Sequence, residues 1–227
     1  MKKILCVLLI FVLSLTSVFA TATDEQLKDL KNLKIMVGDE DGNMRLDDSS
    51  TRAEAAKMIC VIQGIGTDSF ADTVEPSAFP DVADSHWAKN YINAVKDLQI
   101  MIGDEKGNFN PEAEITNEEI IKTLIVALGY KEMAETTGGY PMGYTRTAQK
   151  IGLTEELKLD VDVPAKRGDV AYMFATALDI PLMVQTSWSP SGGGEYRICD
   201  GSDGLPIETI RTMFFGKNEN TPLKVVK

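Results

Sequence analysis

A shift of 65 positions lays one part of this chain over another without a gap. Leu33, Ile35, Met36, Gly38-Asp39-Glu40, Gly42-Asn43, Thr51, Glu54, Lys57, Val61 and Gly64 fall on Leu98, Ile100, Met101, Gly103-Asp104-Glu105, Gly107-Asn108, Thr116, Glu119, Lys122, Val126 and Gly129. Self-similarity at a fixed offset marks a supersecondary unit too small to bury its own apolar face, which must stack on its copies.

The unit is clearest over residues 79–128. Ala88, Tyr91, Ile92, Val95 and Leu98 recur at three- and four-residue spacing and predict a helix whose stripe faces inward, leaving Lys89, Asn90, Asn93 and Lys96 to solvent. Gly103 and Gly107-Asn108 break that pattern, and Pro111 keeps the chain extended. Thr116 followed by Glu119 is a capping box, and Ile120, Ile121, Leu124, Ile125 and Leu128 supply the stripe of a second helix. The earlier copy predicts helices over 25–33 and 51–63. A degraded third copy starts near Tyr144. There Lys166-Arg167-Gly168-Asp169 stands where the first copy has Thr51-Arg52-Ala53-Glu54, ahead of Val170, Met173, Phe174, Ala177 and Leu178 at helical spacing.

These residues resemble the S-layer homology family. The opening Phe79-Pro80-Asp81-Val82 through His86-Trp87-Ala88, the middle Ile102-Gly103-Asp104 through Gly107-Asn108-Phe109-Asn110-Pro111, and Thr51-Arg52-Ala53-Glu54 carry the likeness. It covers roughly residues 24–182. It implies a mainly α fold of three tandem helix–loop–helix modules, packed as a pseudo-threefold bundle. The grooves between such modules hold the secondary polysaccharide of a Gram-positive-type cell wall, often pyruvylated. The implied layout is a signal peptide at 1–20, modules at 24–70, 75–133 and 138–182, and a β-rich tail at 183–227. The first copy lacks the Phe-Pro-Asp-Val and His-Trp-Ala opening, the second has Asn117 where the family has Arg, and the third lacks the Thr cap and the Gly-Asn turn.

The candidate binding residues follow from helix-end chemistry. With Thr51 as cap, Arg52 is the first helical residue, where free N–H groups and the macrodipole favour an anion and a guanidinium can grip a carboxylate through two parallel bonds. The bland alternative pairs Arg52 with one of the chain's own acids. Arg167 has the same placement, and Asn117 offers only neutral hydrogen bonds. Trp87 either stacks on a sugar face or packs inside against Tyr91 and Phe109. His86 is the only histidine and is expected to make a structural hydrogen bond. Asp81 either caps a turn or touches ligand. The acidic turns at 39–43 and 104–108 lack EF-hand spacing, so no metal or cofactor is expected.

Lys2-Lys3, an apolar run from Ile4 and Val18-Phe19-Ala20 form a secretory signal. Its removal takes two lysines, moving the formal charge from −11 to −13. That excludes a nucleic-acid footprint or a polybasic membrane patch. Cys60 sits on an apolar helical stripe and is expected as a buried free thiol, although a disulfide to Cys199 is open. In the tail, Pro190-Ser191-Gly192-Gly193-Gly194 is expected as a flexible break, with 196–199 and 209–215 as strands about a turn at 200–204. No nucleophile elbow, phosphate loop or zinc-protease motif occurs. The expectation is a secreted, non-catalytic wall-binding protein. Its rivals are a self-associating lattice protein and the anchoring piece of a longer surface enzyme.

Overall fold

The computed structural model describes residues 22–71 and 74–216, so the expected signal peptide lies outside the described residues. The chain is mostly helical: α1 (Asp24–Asn32), α2 (Arg52–Ile62), α3 (Lys89–Asp97), α4 (Asn117–Ala127), α5 (Lys131–Thr136), α6 (Met142–Lys150) and α7 (Arg167–Ala177). A small antiparallel hairpin, β1 (Met183–Ser189) and β2 (Gly193–Ile198), follows.

Three helix starts are set by local side-chain chemistry. Thr23, Thr51 and Thr116 accept the third-residue N–H of α1, α2 and α4, while Gln26, Glu54 and Glu119 reach back to the cap N–H. The stops of α1, α3 and α6 share a second device. Lys34, Gln99 and Gly152 turn into the left-handed region at φ 58°, 57° and 80°. Ile35, Ile100 and Leu153 then donate back to Leu30, Val95 and Ala148, satisfying carbonyls at the helix end. The stop of α6 therefore keeps the geometry of the stops of α1 and α3 although its letters differ.

Between helices the acidic turns are closed by side chains. Asp39 Oδ1 accepts the N–H groups of Asp41 and Asn43, and Asp104 Oδ1 those of Lys106 and Asn108. Gly103 is required here, because a Cβ would lie 2.7 Å from both the Asn108 carbonyl oxygen and the Phe79 ring.

The pairs join in a cycle. α2 packs on α3, α4 on α6, and α7 back on α1. The segments before α2, α4 and α7 meet in isolated bridges: Ser49 with Lys166, Thr51 with Glu114, and Thr116 with Pro164. At their centre Ser50 N–H donates to Ala165, Ala165 to Ile115 and Ile115 to Ser50, at 2.8–3.0 Å. One continuous core runs beneath, with Ile59, Ile62, Ile92, Phe109, Ile120, Leu124, Tyr144 and Phe174 fully enclosed. Burial of side chains of this size contributes roughly 1.5–3 kcal/mol each. Cys60 and Cys199 are both buried and free. The Cys60 thiol donates to the Tyr91 carbonyl, and burial pushes it up to about 12.

One local expectation needs correcting. In the tail the hairpin is one step earlier than expected. The Gly-rich segment is its turn, β1 supplies the partner strand, and 211–215 is a π-helical turn rather than a strand. The reason is end chemistry: Thr209 and Thr212 exchange side-chain and backbone hydrogen bonds, while Ile210 is buried. The tail packs on the helices. Arg211 forks onto Asp179 at 2.6 and 2.9 Å and reaches Asp29 at 2.8 Å, tying the region after α7 to α1.

Candidate functional site

The two expected arginines end in different surroundings. Arg167 lies 5% exposed, with Nη1 2.9 Å from Glu54, Nε on the Met44 carbonyl and Nη2 on Val37. All three nitrogens are taken by the chain itself. The expected ligand contact at Arg167 therefore turns inward, where it holds the third pair to the first. Arg52 is 14% exposed. Its Nε donates to the Phe109 carbonyl at 2.8 Å, Nη1 meets Glu119 at 3.1 Å, and the guanidinium lies over the Phe109 ring. Nη2 has no partner among the described residues.

That Arg52 head lines a crevice of about 410 Å³. Its walls come from α2, from the Gly103-Asp104 turn, from the α4 start with Thr116, Glu119 and Lys122, and from Tyr140 ahead of α6. Lys122 stands over the Tyr140 ring at 5.1 Å. The crevice thus brings two cations and an exposed aromatic together with three carboxylates, Asp104, Glu114 and Glu119, the last of them paired with Arg52.

The expected free N–H groups at the helix starts are mostly spent. Arg52 and Ala53 donate to Ala113 and Pro111, Asn117 to Val163, and Arg167 and Gly168 to Asp48 and Leu46. Neighbouring loops, not an anion, satisfy these orphan donors. The Thr51 hydroxyl is likewise engaged as a cap. Asn117 is buried, donating to the Asp160 carbonyl at 2.9 Å and leaving Oδ1 unpartnered. A regularity explains its setting. Arg52 reaches Glu119 and Arg167 reaches Glu54, so the same step from Asn117 leads towards Asp169. No arginine answers it, and burial raises the Asp169 carboxyl, with Lys166 opposing.

Asp81 accepts the N–H groups of Phe109 and Asn110 at 2.9 and 2.6 Å, bracing the turn beside the crevice. Trp87 is 55% exposed and stacks on His86 at 5.8 Å, away from the internal packing on Tyr91 and Phe109 that was the alternative. His86 Nδ1 accepts from Ala88 N–H, so its Nε2 carries the proton towards Glu112 at 2.9 Å. Sequence reasoning missed Lys122 and Tyr140. Lys122 repeats Lys57 across the 65-residue shift, the one signal available for it.

Residues 78–121 match the S-layer homology domain. The chain is 32% identical over 153 residues to a cell surface protein of Thermoanaerobacter kivui, covering 66% of this chain and 19% of that protein. It is 25% identical over 166 residues to a middle cell wall protein of Brevibacillus brevis, covering 73% and 15%. A third relative, 33% identical over 108 residues and covering 48% and 19%, is named an uncharacterized cell wall amidase of Bacillus anthracis. The chain spans less than a fifth of the length of these curated relatives.

The domain match and the relatives' names point to a cell-surface location and to anchoring or S-layer function. They suggest a non-enzymatic surface protein, with the amidase name as the counterexample. No helix among the described residues is long and apolar enough to cross a membrane.

Proposed function

We propose that this protein is a secreted, non-catalytic cell-wall anchor of three S-layer-homology-like modules in a pseudo-threefold arrangement. It holds an anionic secondary wall polysaccharide, pyruvylated in the form we favour, without a covalent bond. The observation that carries the reading is the free Nη2 of Arg52 beside Lys122 in a crevice between helix pairs, within a chain of formal charge −11. Local cations must do the holding, since long-range repulsion between two acidic partners acts over about 10 Å at 0.1 M salt. Tyr140 supplies an apolar face at the crevice, and exposed Trp87 a second one for sugar stacking. Thr51 caps the helix that carries Arg52, Asp81 braces the turn that carries Asn110 at the crevice, and Arg167 fixes the relative position of the modules.

Cosedimentation of the mature protein with purified walls tests this. Binding is expected to survive moderate salt, to fall when the polysaccharide is depyruvylated, and to be lost in Arg52→Ala. Unchanged sedimentation of a folded Arg52→Ala protein would refute the assignment. Lattice self-association is the second reading, favoured by relatives named surface layer and S-layer proteins. Light scattering without wall material separates it, because ordered assembly alone would favour the lattice. The short span relative to these proteins also suits an anchoring piece of a larger surface protein.

A further inference from the structure

The crevice beside Arg52 runs on into a second cavity, with Ile100, Ile102 and Lys122 lining both. The second measures about 520 Å³ and is walled by Lys96 of α3, Lys122 and Val126 of α4, Lys131 and Glu135 of α5, and Tyr144 of α6. Three lysines therefore converge in an acidic chain. None has a carboxylate at ion-pair distance among the described residues, although Arg45, Arg52, Arg167, Arg197 and Arg211 all do. Lys96 donates to the Ala78 carbonyl at 3.0 Å and stands over Phe79, and Lys122 stands over Tyr140. The Lys131 head has no partner among the described residues. Glu135, the acid in this lining, already accepts the Tyr144 hydroxyl at 2.6 Å.

Like charges gathered round one cavity repel each other unless a counter-charge enters between them. Ile100, Ile102 and Val126 share the lining with them, which suits the apolar face of a sugar ring carrying charges at its edges. We propose that this lysine-lined trough is a second anion subsite, taking a further carboxylate or phosphate of the ligand held at Arg52. The ligand is then a polyanion whose charged groups recur along one chain. The inference rests on the wall-polysaccharide reading and narrows it, since a singly charged sugar would leave the trough empty.

The test is calorimetric titration of the full mature chain with galacturonate, tetragalacturonate and an oligomeric glycerol phosphate. Wild type is expected to bind the better oligomer at least ten-fold more tightly than the monomer. Lys96→Gln/Lys131→Gln, checked for folding by circular dichroism, should lose that ten-fold gain while its monomer affinity stays the same. Lys131→Gln alone, at a head group that holds nothing else, should lose part of it. Arg52→Gln should weaken every probe. Preference for tetragalacturonate marks the recurring group as a carboxylate, and preference for the glycerol phosphate oligomer as a phosphodiester. If both lysine variants keep wild-type oligomer affinity while Arg52→Gln loses it, the trough is no subsite and the Arg52 reading stands. If wild type binds neither these probes nor purified wall polysaccharide, the wall-binding reading falls and takes the trough with it.

Discussion

Replacing Arg167 with alanine should cost stability rather than ligand contacts. The guanidinium, itself 5% exposed, satisfies Glu54 at 2.9 Å and the carbonyls of Met44 and Val37 at 3.0 and 3.4 Å. Removing one partner of a buried ion pair costs about 3–5 kcal/mol, because the other charge is left uncompensated. Glu54 softens this, since it is 26% exposed and keeps Arg45 at 3.4 Å and the Thr51 N–H at 3.0 Å. The two carbonyls do lose a charged donor. The lower end, about 3 kcal/mol, is therefore expected. With a urea slope of about 2 kcal/mol per molar, the unfolding midpoint falls by about 1.5 M. The assay is urea unfolding followed by circular dichroism, alongside wall cosedimentation at a temperature where the variant is folded. Arg52→Ala should behave oppositely, losing wall binding with the smaller loss of stability. A midpoint shift under about 0.25 M for Arg167→Ala, equivalent to about 0.5 kcal/mol at that slope, together with loss of wall binding, would refute the division of roles between the two arginines.

Two further outcomes follow from neighbouring groups. Asn117→Arg supplies the missing member of the series Arg52–Glu119 and Arg167–Glu54 but gives up the bond to the Asp160 carbonyl at a buried site, so its urea midpoint should stay within about 0.5 M of wild type, equivalent to about 1 kcal/mol. It should also bring the Asp169 carboxyl down from its raised position, as NMR titration would detect; an unmoved Asp169 would show that the arginine does not reach it. The turn carboxylates Asp39 and Asp104 are held below their ordinary value, chiefly by the N–H groups of Asn43 and Asn108. A depressed folded-state acid stabilises above its unfolded value and loses that contribution as pH falls through the folded one. Asp39→Asn/Asp104→Asn should therefore flatten the decline in melting temperature below about pH 4, and an equally steep decline would rule these turns out as its source.

What was legible in the sequence was what neighbouring residues decide among themselves. The caps at Thr51 and Thr116, the apolar stripes of α2, α3 and α4 and the turn glycines each depend on contacts within a few positions. Helix α5 was hidden because it is six residues long, between Gly129 and Gly138-Gly139, whose turn signals outweigh so short a pattern. The segment 209–215 carries strand-forming letters, yet the hydroxyls of Thr209 and Thr212 wind it into a turn. The fate of Arg167 was beyond local reading, since its carbonyl partners Met44 and Val37 lie more than a hundred positions away. The lysine trough was invisible for a related reason. Lys96 reads as a solvent-facing helical position, and only the meeting of three helices gives it company.

The three-way exchange of hydrogen bonds among Ser50, Ile115 and Ala165 has a bearing on how such a protein could change over evolutionary time. An open stack of repeats can gain or shed a member at either end while the remaining junctions persist. A loop of junctions that returns to its start has no end to trim. Deleting one member would strand two faces at once, and inserting one would demand a new angle at every seam. Divergence would then proceed by letter changes inside a fixed number of helix pairs.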